Sequence, residues 1–107
     1  MELRQYSIVL VNLDPTIGSE MKKTRPCVII SPDEMNRHLQ TIVIAPMTST
    51  SKPYPTRISV QQKLTKGWIV LDQIRTIDRI RIAKILGQLT AVESAQLKKV
   101  MKETFVD

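Results

Sequence analysis

Three apolar runs stand out along the chain: Tyr6 to Leu13, Cys27 to Ile30 and Thr41 to Ala45. They are short, rich in Val and Ile, and bounded by polar or turn-forming residues, a pattern that predicts strands. Thr56 to Val60 alternates polar and apolar positions and predicts a strand with one wet face. Gly67 to Leu71 follows a Lys-Gly turn and predicts another. Gln73 to Arg81 alternates charge with Ile and predicts a turn of helix followed by a strand. Ile85 to Leu89 predicts a last short strand. Ser31-Pro32-Asp33-Glu34 predicts a helix start, with Ser as N-cap, Pro at the first helical position and Glu closing a capping box. Thr90-Ala91-Val92-Glu93 predicts a second capping box. It opens a helix whose apolar face takes Val92, Leu97, Val100, Met101 and Phe105, with Lys98, Lys99 and Lys102 outside. Many short strands closed by a C-terminal helix imply a mainly β (α+β) fold, a small, partly closed barrel, as a single domain over residues 1–107.

Composition narrows the chemistry. Hydrophobic residues make up 42% of the 107 residues, enough for a core. No apolar run approaches the roughly 20 residues that span a bilayer, so no membrane association is expected. No signal peptide pattern precedes the first strand, which implies a cytoplasmic protein. Cys27 is the only cysteine and His38 the only histidine. An intrachain disulfide, a zinc site of usual ligand count and a two-histidine acid–base mechanism within one subunit are thereby excluded, and no metal or other cofactor is expected. Cys27, inside an apolar run, reads as a buried, inert thiol. The net charge of +6, from 16 basic and 10 acidic residues, suits a polyanionic partner such as nucleic acid or an acidic protein.

Three segments concentrate polar chemistry. The first carries Ser19, Glu20, Lys22, Lys23 and Arg25. Pro26 biases Arg25 toward an extended backbone where loop becomes strand, and a guanidinium held there can grip a phosphate with two oriented hydrogen bonds. The second is Pro46 to Pro55, with Thr48, Ser49, Thr50, Ser51, Lys52 and Tyr54. The third runs from Asp72 to Arg81 and includes Gln73 and Arg75. Singly, each has a plain reading as a turn, a set of loop hydroxyls or a solvated face. Together they suit RNA cleavage through the ribose 2′-hydroxyl, which needs a base, a proton donor for the leaving oxygen and donors for the charged phosphorane, but no metal. In that reading Arg25 and Thr48 hold the non-bridging oxygens. Glu20 or Asp72 acts as base or orients Arg25. Tyr54 stacks a base, and Lys52 and Arg75 bind flanking phosphates.

Three blocks in this order resemble the MazF/PemK (Kid) toxin family over nearly the whole chain. They are Ile8 to Glu20 continuing through Arg25-Pro26 to Ser31, with Asn36-Arg37 after it; Ala45-Pro46-Met47-Thr48 with Ser51 to Pro55; and Leu71 to Asp78. The resemblance implies an SH3-like barrel and a homodimer. It also implies ribosome-independent, metal-independent cleavage of single-stranded RNA at short sequence motifs, leaving a 2′,3′-cyclic phosphate and a 5′-hydroxyl. A cognate antitoxin with an acidic tail is implied as the partner that covers the RNA groove. The family's catalytic arginine falls on Arg25, its threonine on Thr48 and its acidic residue on Glu20, with Asp72 as a further candidate. Ser19, Lys22, Asn36, Thr50, Lys52, Tyr54, Gln73 and Arg75 are the expected RNA contacts. Some members use a His in the first loop and an Arg-x-Asp pair; here those positions hold Ser19 and Val70, leaving only Asp72, which favours the Arg25/Thr48 scheme. A gyrase poison of the related CcdB type would act through a C-terminal Trp. This chain ends Thr104-Phe105-Val106-Asp107, and Trp68 falls on a predicted strand. A non-catalytic SH3-like binding module is the remaining alternative.

Overall fold

The three apolar runs become neighbouring strands at the middle of one sheet. The computed structural model describes residues 2–13, 24–50 and 54–106. In chain order the strands are β1 (Ser7–Asn12), β2 (Thr24–Ile29), β3 (Thr41–Thr48), β4 (Arg57–Gln61), β5 (Lys66–Val70), β6 (Arg75–Asp78) and β7 (Ile82–Gln88). Helix α1 (Asp33–His38) lies between β2 and β3, and α2 (Ala91–Phe105) follows β7. The sheet runs β4-β5-β3-β2-β1-β7, with β6 also paired to β3, and the pairings are antiparallel. This is the mainly β, open-barrel fold with a C-terminal helix that the pattern predicts.

Unbroken apolar runs arise because β1, β2 and β3 are buried on both faces. Ile8, Val28, Ala45 and Met47 point into one core, shared with Ile58, Val60, Ile69 and Leu71 and capped by Leu97 and Val100 of α2. Val9, Val11, Cys27, Ile29, Ile42 and Ile44 point into the other, closed by Leu3, Ile77 and Ile82. Side chains alternate faces along a strand, so a strand with two dry faces shows no polar alternation.

One edge of β3 serves two partners. Thr41 to Ile44 pair with β6, and Met47 and Thr48 pair with β5. Pro46 sits between these two pairings, where a residue with no N–H to donate is tolerated. The loop expected to begin after Ala45 therefore starts later, since Pro46, Met47 and Thr48 belong to the strand. Likewise β2 begins at Thr24, which puts Arg25 inside the ladder opposite Val11. Strand β7 begins at Ile82, earlier than expected, because pairing with β1 extends it.

Two local expectations change. Ser31 does not cap α1; the cap position is Pro32, with no side-chain cap bond. The Ser31 hydroxyl instead donates to Asn36 Oδ1 at 2.5 Å and accepts from the Val43 N–H at 3.1 Å, tying α1 to β3. On α2 the buried residues are Leu97 and Val100, whereas Val92 and Phe105 are 79% and 57% exposed. At 3.6 residues per turn Val92 lies about 140° round the helix from Leu97, outside the contact stripe.

The second capping box forms as expected. Thr90 Oγ1 accepts from the Glu93 N–H at 3.1 Å, and Glu93 Oε1 accepts from the Thr90 N–H at 3.0 Å. Glu93 also accepts from Gln62 Nε2 at 2.7 Å, which anchors the start of α2 beside the end of β4. Burial pushes the Glu93 carboxyl up, but the N–H of Thr90, the Gln62 amide, the N–H of Gln61 and the Thr90 side chain outweigh it and hold it below its ordinary value of 4.5. A depressed acid stabilises the fold above its unfolded pKa and loses that contribution as pH falls through the folded one. Thr90→Ala is expected to cost about 1 kcal/mol in a urea titration. Glu93→Gln is expected to lose stability less steeply than the parent chain as pH falls below 4.5; equal slopes would refute this role for Glu93.

Gly67 fixes how closely β5 approaches β3. A Cβ there would stand 2.6 Å from the Thr48 carbonyl oxygen and 3.4 Å from its carbon, both backbone atoms that cannot step aside cheaply. Gly67→Ala is expected to destabilise the fold by about 1–3 kcal/mol, read from a urea midpoint, because it forces the two strands apart.

Candidate active site

Strand register brings the two principal candidates together. On β2, Arg25 lies two residues before Cys27 and so shares its face; on β3, Thr48 shares the face of Ile44. The β2–β3 ladder pairs Ile29 with Ile44, Val28 with Ala45 and Cys27 with Pro46. Continuing that register by two residues sets Arg25 opposite Thr48, beyond the edge of the second core. The same logic adds residues from the other side. Thr48 pairs with Trp68, Trp68 with Ser59, and Val70 with Arg57, so these side chains start from one face of the sheet.

Arg25 and Thr48 form a wall common to two clefts. One, of about 260 Å³, is also lined by Thr50, Tyr54, Arg57, Val70 and Gln73. The other, of about 220 Å³, is also lined by Thr24, Pro26, Met47, Ser49 and Lys66. Arg25 is exposed and makes no ion pair among the described residues. The Thr48 hydroxyl donates to the Thr50 carbonyl at 2.9 Å and accepts weakly from the Thr50 N–H at 3.4 Å. That turn fixes the oxygen at the cleft wall, and rotation about its C–O bond turns the proton toward a bound anion.

Asp72 does not line the first cleft but adjoins Gln73 and pairs with Arg57, which do. Its Oδ1 accepts from Thr56 Oγ1 at 2.9 Å and forms an ion pair with Arg57 Nη1. Burial raises the Asp72 carboxyl, yet the Thr56 hydroxyl, its own backbone and the Arg57 charge together hold it below its ordinary value. A carboxylate so depressed is a weak base at neutral pH. The expectation that Asp72 orients Arg25 is therefore replaced: the partner that it holds is Arg57. Behind it lies an apolar hollow of about 380 Å³ between Val43, Ile74, Met101 and Phe105.

The other expected residues divide clearly. Thr50, Tyr54 and Gln73 line the cleft with Arg25 and Thr48. Arg75 is exposed on β6, opposite Ile44, outside both clefts. Asn36 is corrected: it is 1% exposed, its Oδ1 accepts from Ser31 and its Nδ2 donates to the Ser31 carbonyl at 2.9 Å. A side chain so enclosed braces α1 and presents nothing to a ligand. Ser19, Glu20, Lys22 and Lys52 lie outside the described residues. Cys27 is fully buried, and burial pushes its thiol up to about 12 against the downward pull of the Arg25 and Arg75 charges. Its burial is as expected.

Two cleft residues escaped the sequence reading. Lys66 is the first residue of β5, where the sequence shows only a Lys-Gly turn. Arg57 was placed on a wet strand face, but alternation alone does not say which surface that face joins.

Among the described residues, no three of His, Cys, Asp and Glu converge, and no helix is long and apolar enough to cross a membrane. The family of PemK-like, MazF-like toxins of type II toxin–antitoxin systems matches residues 4–105. Endoribonuclease MazF of Staphylococcus epidermidis is 33% identical over 94 residues, covering 82% of this chain and 78% of that protein. The crystal structure of MazF from Deinococcus radiodurans superposes with a TM-score of 0.83 at 25% identity, covering 100% of this chain and 99% of that one. A MazE–MazF structure from the same organism gives a TM-score of 0.86 at 24% identity over 99% of this chain and 97% of that one, a likeness of fold. With the family match spanning almost the whole sequence and a relative above 30% identity, the chain belongs to the PemK-like, MazF-like toxins of type II toxin–antitoxin systems.

Proposed function

We propose that this toxin endoribonuclease cuts single-stranded RNA at short sequence motifs, independently of the ribosome and of metal ions, with the scissile phosphate at the wall shared by Arg25 and Thr48. The observation that carries the reading is that adjacent strands in register present a guanidinium and a hydroxyl between two clefts. A nucleotide in each cleft would place the phosphate joining them at that wall.

The chemistry follows from the donors. The 2′ oxygen attacks phosphorus and loses its proton to a base. The P–O5′ bond breaks, and the 5′ oxygen takes a proton, leaving a 2′,3′-cyclic phosphate and a 5′-hydroxyl. Charge accumulates on the non-bridging oxygens, where fixed donors stabilise it most. Arg25 supplies two aligned N–H groups and Thr48 one O–H. An arginine, with a pKa above about 12, acts here as a charge stabiliser rather than a proton carrier. Glu20 is the proposed base, since the Asp72 carboxylate is engaged by Thr56 and Arg57, which weakens it as a base. Tyr54, 50% exposed at the cleft, offers a stacking face for a base, and Gln73 a pair of amide groups for a base edge. The remaining expected contacts, Ser19, Lys22, Thr50, Lys52 and Arg75, are proposed to bind the strand on either side.

The partners follow from charge and kinship. A +6 surface attracts both RNA and an acidic segment that folds on binding. Solved relatives include an endoribonuclease in complex with its cognate antitoxin and a MazE–MazF assembly. We therefore infer inhibition by a cognate antitoxin, action as a homodimer and a cytoplasmic location.

Arg25→Ala and Thr48→Val are each expected to slow cleavage of a long, structure-poor RNA by about a hundredfold or more, with unchanged circular dichroism and melting. The wild-type rate should be the same with and without EDTA. Full activity of Arg25→Ala would sink the assignment, and a rate lost in EDTA and restored by Mg²⁺ would overturn the metal-free mechanism.

A further inference from the structure

Arg57 stands out among the groups that the proposed chemistry leaves unused. It lines the same cleft as Arg25, Thr48, Tyr54 and Gln73. Its position opposite Val70 starts its side chain from the face that also carries Thr48. The guanidinium is held in place: Nη1 pairs with Asp72 and donates to Thr56 Oγ1 at 3.3 Å, and the group lies 5.3 Å from the centroid of the Tyr54 ring. The side chain is only 14% exposed, against 43% for Asp72.

We propose that Arg57 is a second phosphate-binding cation of this site, pinned by Asp72 and backed by Tyr54, that grips the RNA phosphate next to the scissile one. This rests on the RNA-cleaving reading above and extends it to a residue to which that reading gives no role. A flat guanidinium carries its N–H donors in a fixed fork, and the ion pair through Nη1 directs that fork. Fixing the side chain in advance removes most of the entropy that a free arginine loses on binding. With the guanidinium carbon over the Tyr54 ring, a base stacked on the outer face of that ring and a phosphate on the guanidinium would belong to one nucleotide step. Arg25, exposed and without an ion pair among the described residues, would close on the scissile phosphate as substrate arrives. Arg57 is already in position. The competing account is a strut, in which the Arg57–Asp72 pair only ties the start of β4 to the turn after β5.

Phosphate contact and strut separate in the salt dependence of binding. Binding of a mixed-sequence 2′-O-methyl RNA oligonucleotide, which cannot be cut through its 2′ oxygen, is measured over a salt series for wild type, Arg57→Gln and Arg57→Met. Loss of one phosphate contact is expected to shrink the slope of log K against log salt by about 0.7. On cleavable RNA, kcat/KM should fall about ten- to hundredfold, as for other hydrogen bonds to a charged group. Arg57→Lys should keep the wild-type slope while losing about tenfold in kcat/KM, because an ammonium cannot form the flat fork. A folded Arg57→Gln or Arg57→Met protein with the wild-type slope overturns the proposal, whatever its stability, and leaves the strut. Met retains the stem that packs beside Tyr54, so one neutral variant stays testable if Gln unfolds. Wild-type protein that fails to cut RNA would sink the preceding reading alone, since the slope on the uncleavable strand still tests Arg57.

Discussion

Between β2 and β3, Cys27 sits opposite Pro46, Val28 opposite Ala45 and Ile29 opposite Ile44. This register decides where the candidate site forms. A slip of one residue would turn Cys27, Ile29, Ile42 and Ile44 out of one core and Val28, Ala45 and Met47 out of the other, so burial on both faces forbids it. The candidate site lies where these strands leave the double core, at Arg25 on one and Thr48 on the other. Hydrophobic burial thus sets the spacing of two polar groups that never enter the core.

A second constraint acts from β5. Its close approach at Gly67 and its pairing through Thr48 and Trp68 bring β4 and β5 alongside the end of β3. The edge of β3 divides at Pro46, with β6 on one side and β5 on the other. Arg75 consequently stays with β6, outside both clefts, while Arg57 is delivered to the cleft from β4. Two arginines that look alike in the sequence are separated by which partner takes which part of one strand edge.

Among the described residues, the cleft holds two arginines in different states. Arg25 is exposed and makes no ion pair among the described residues, whereas Arg57 is nearly buried, paired and stacked. Asp72 belongs to this division: its charge holds Arg57 in place and, being depressed, is present throughout the neutral range. An acidic residue beside a basic cleft weakens the local field for a polyanion, but it fixes a side chain whose freedom would otherwise be costly.

Much was legible in the chain itself. Unbroken Val/Ile runs gave the central strands, because a strand dry on both faces has no polar alternation. Thr90 and Glu93 gave the start of α2, because a capping box is local chemistry within four residues. Arg25, Thr48, Tyr54 and Gln73 were legible as site candidates from their blocks. Other features depended on partners distant in sequence. Asn36 reads as polar and available, yet Ser31 takes both ends of its amide and buries it. Val92 and Phe105 read as core, yet the residues that α2 buries are Leu97 and Val100. Arg57 and Asp72, fifteen residues apart, become partners only because β4 and β5 pair. Periodicity fixes which side chains share a face within one strand; only strand pairing and the curl of the sheet decide which faces meet.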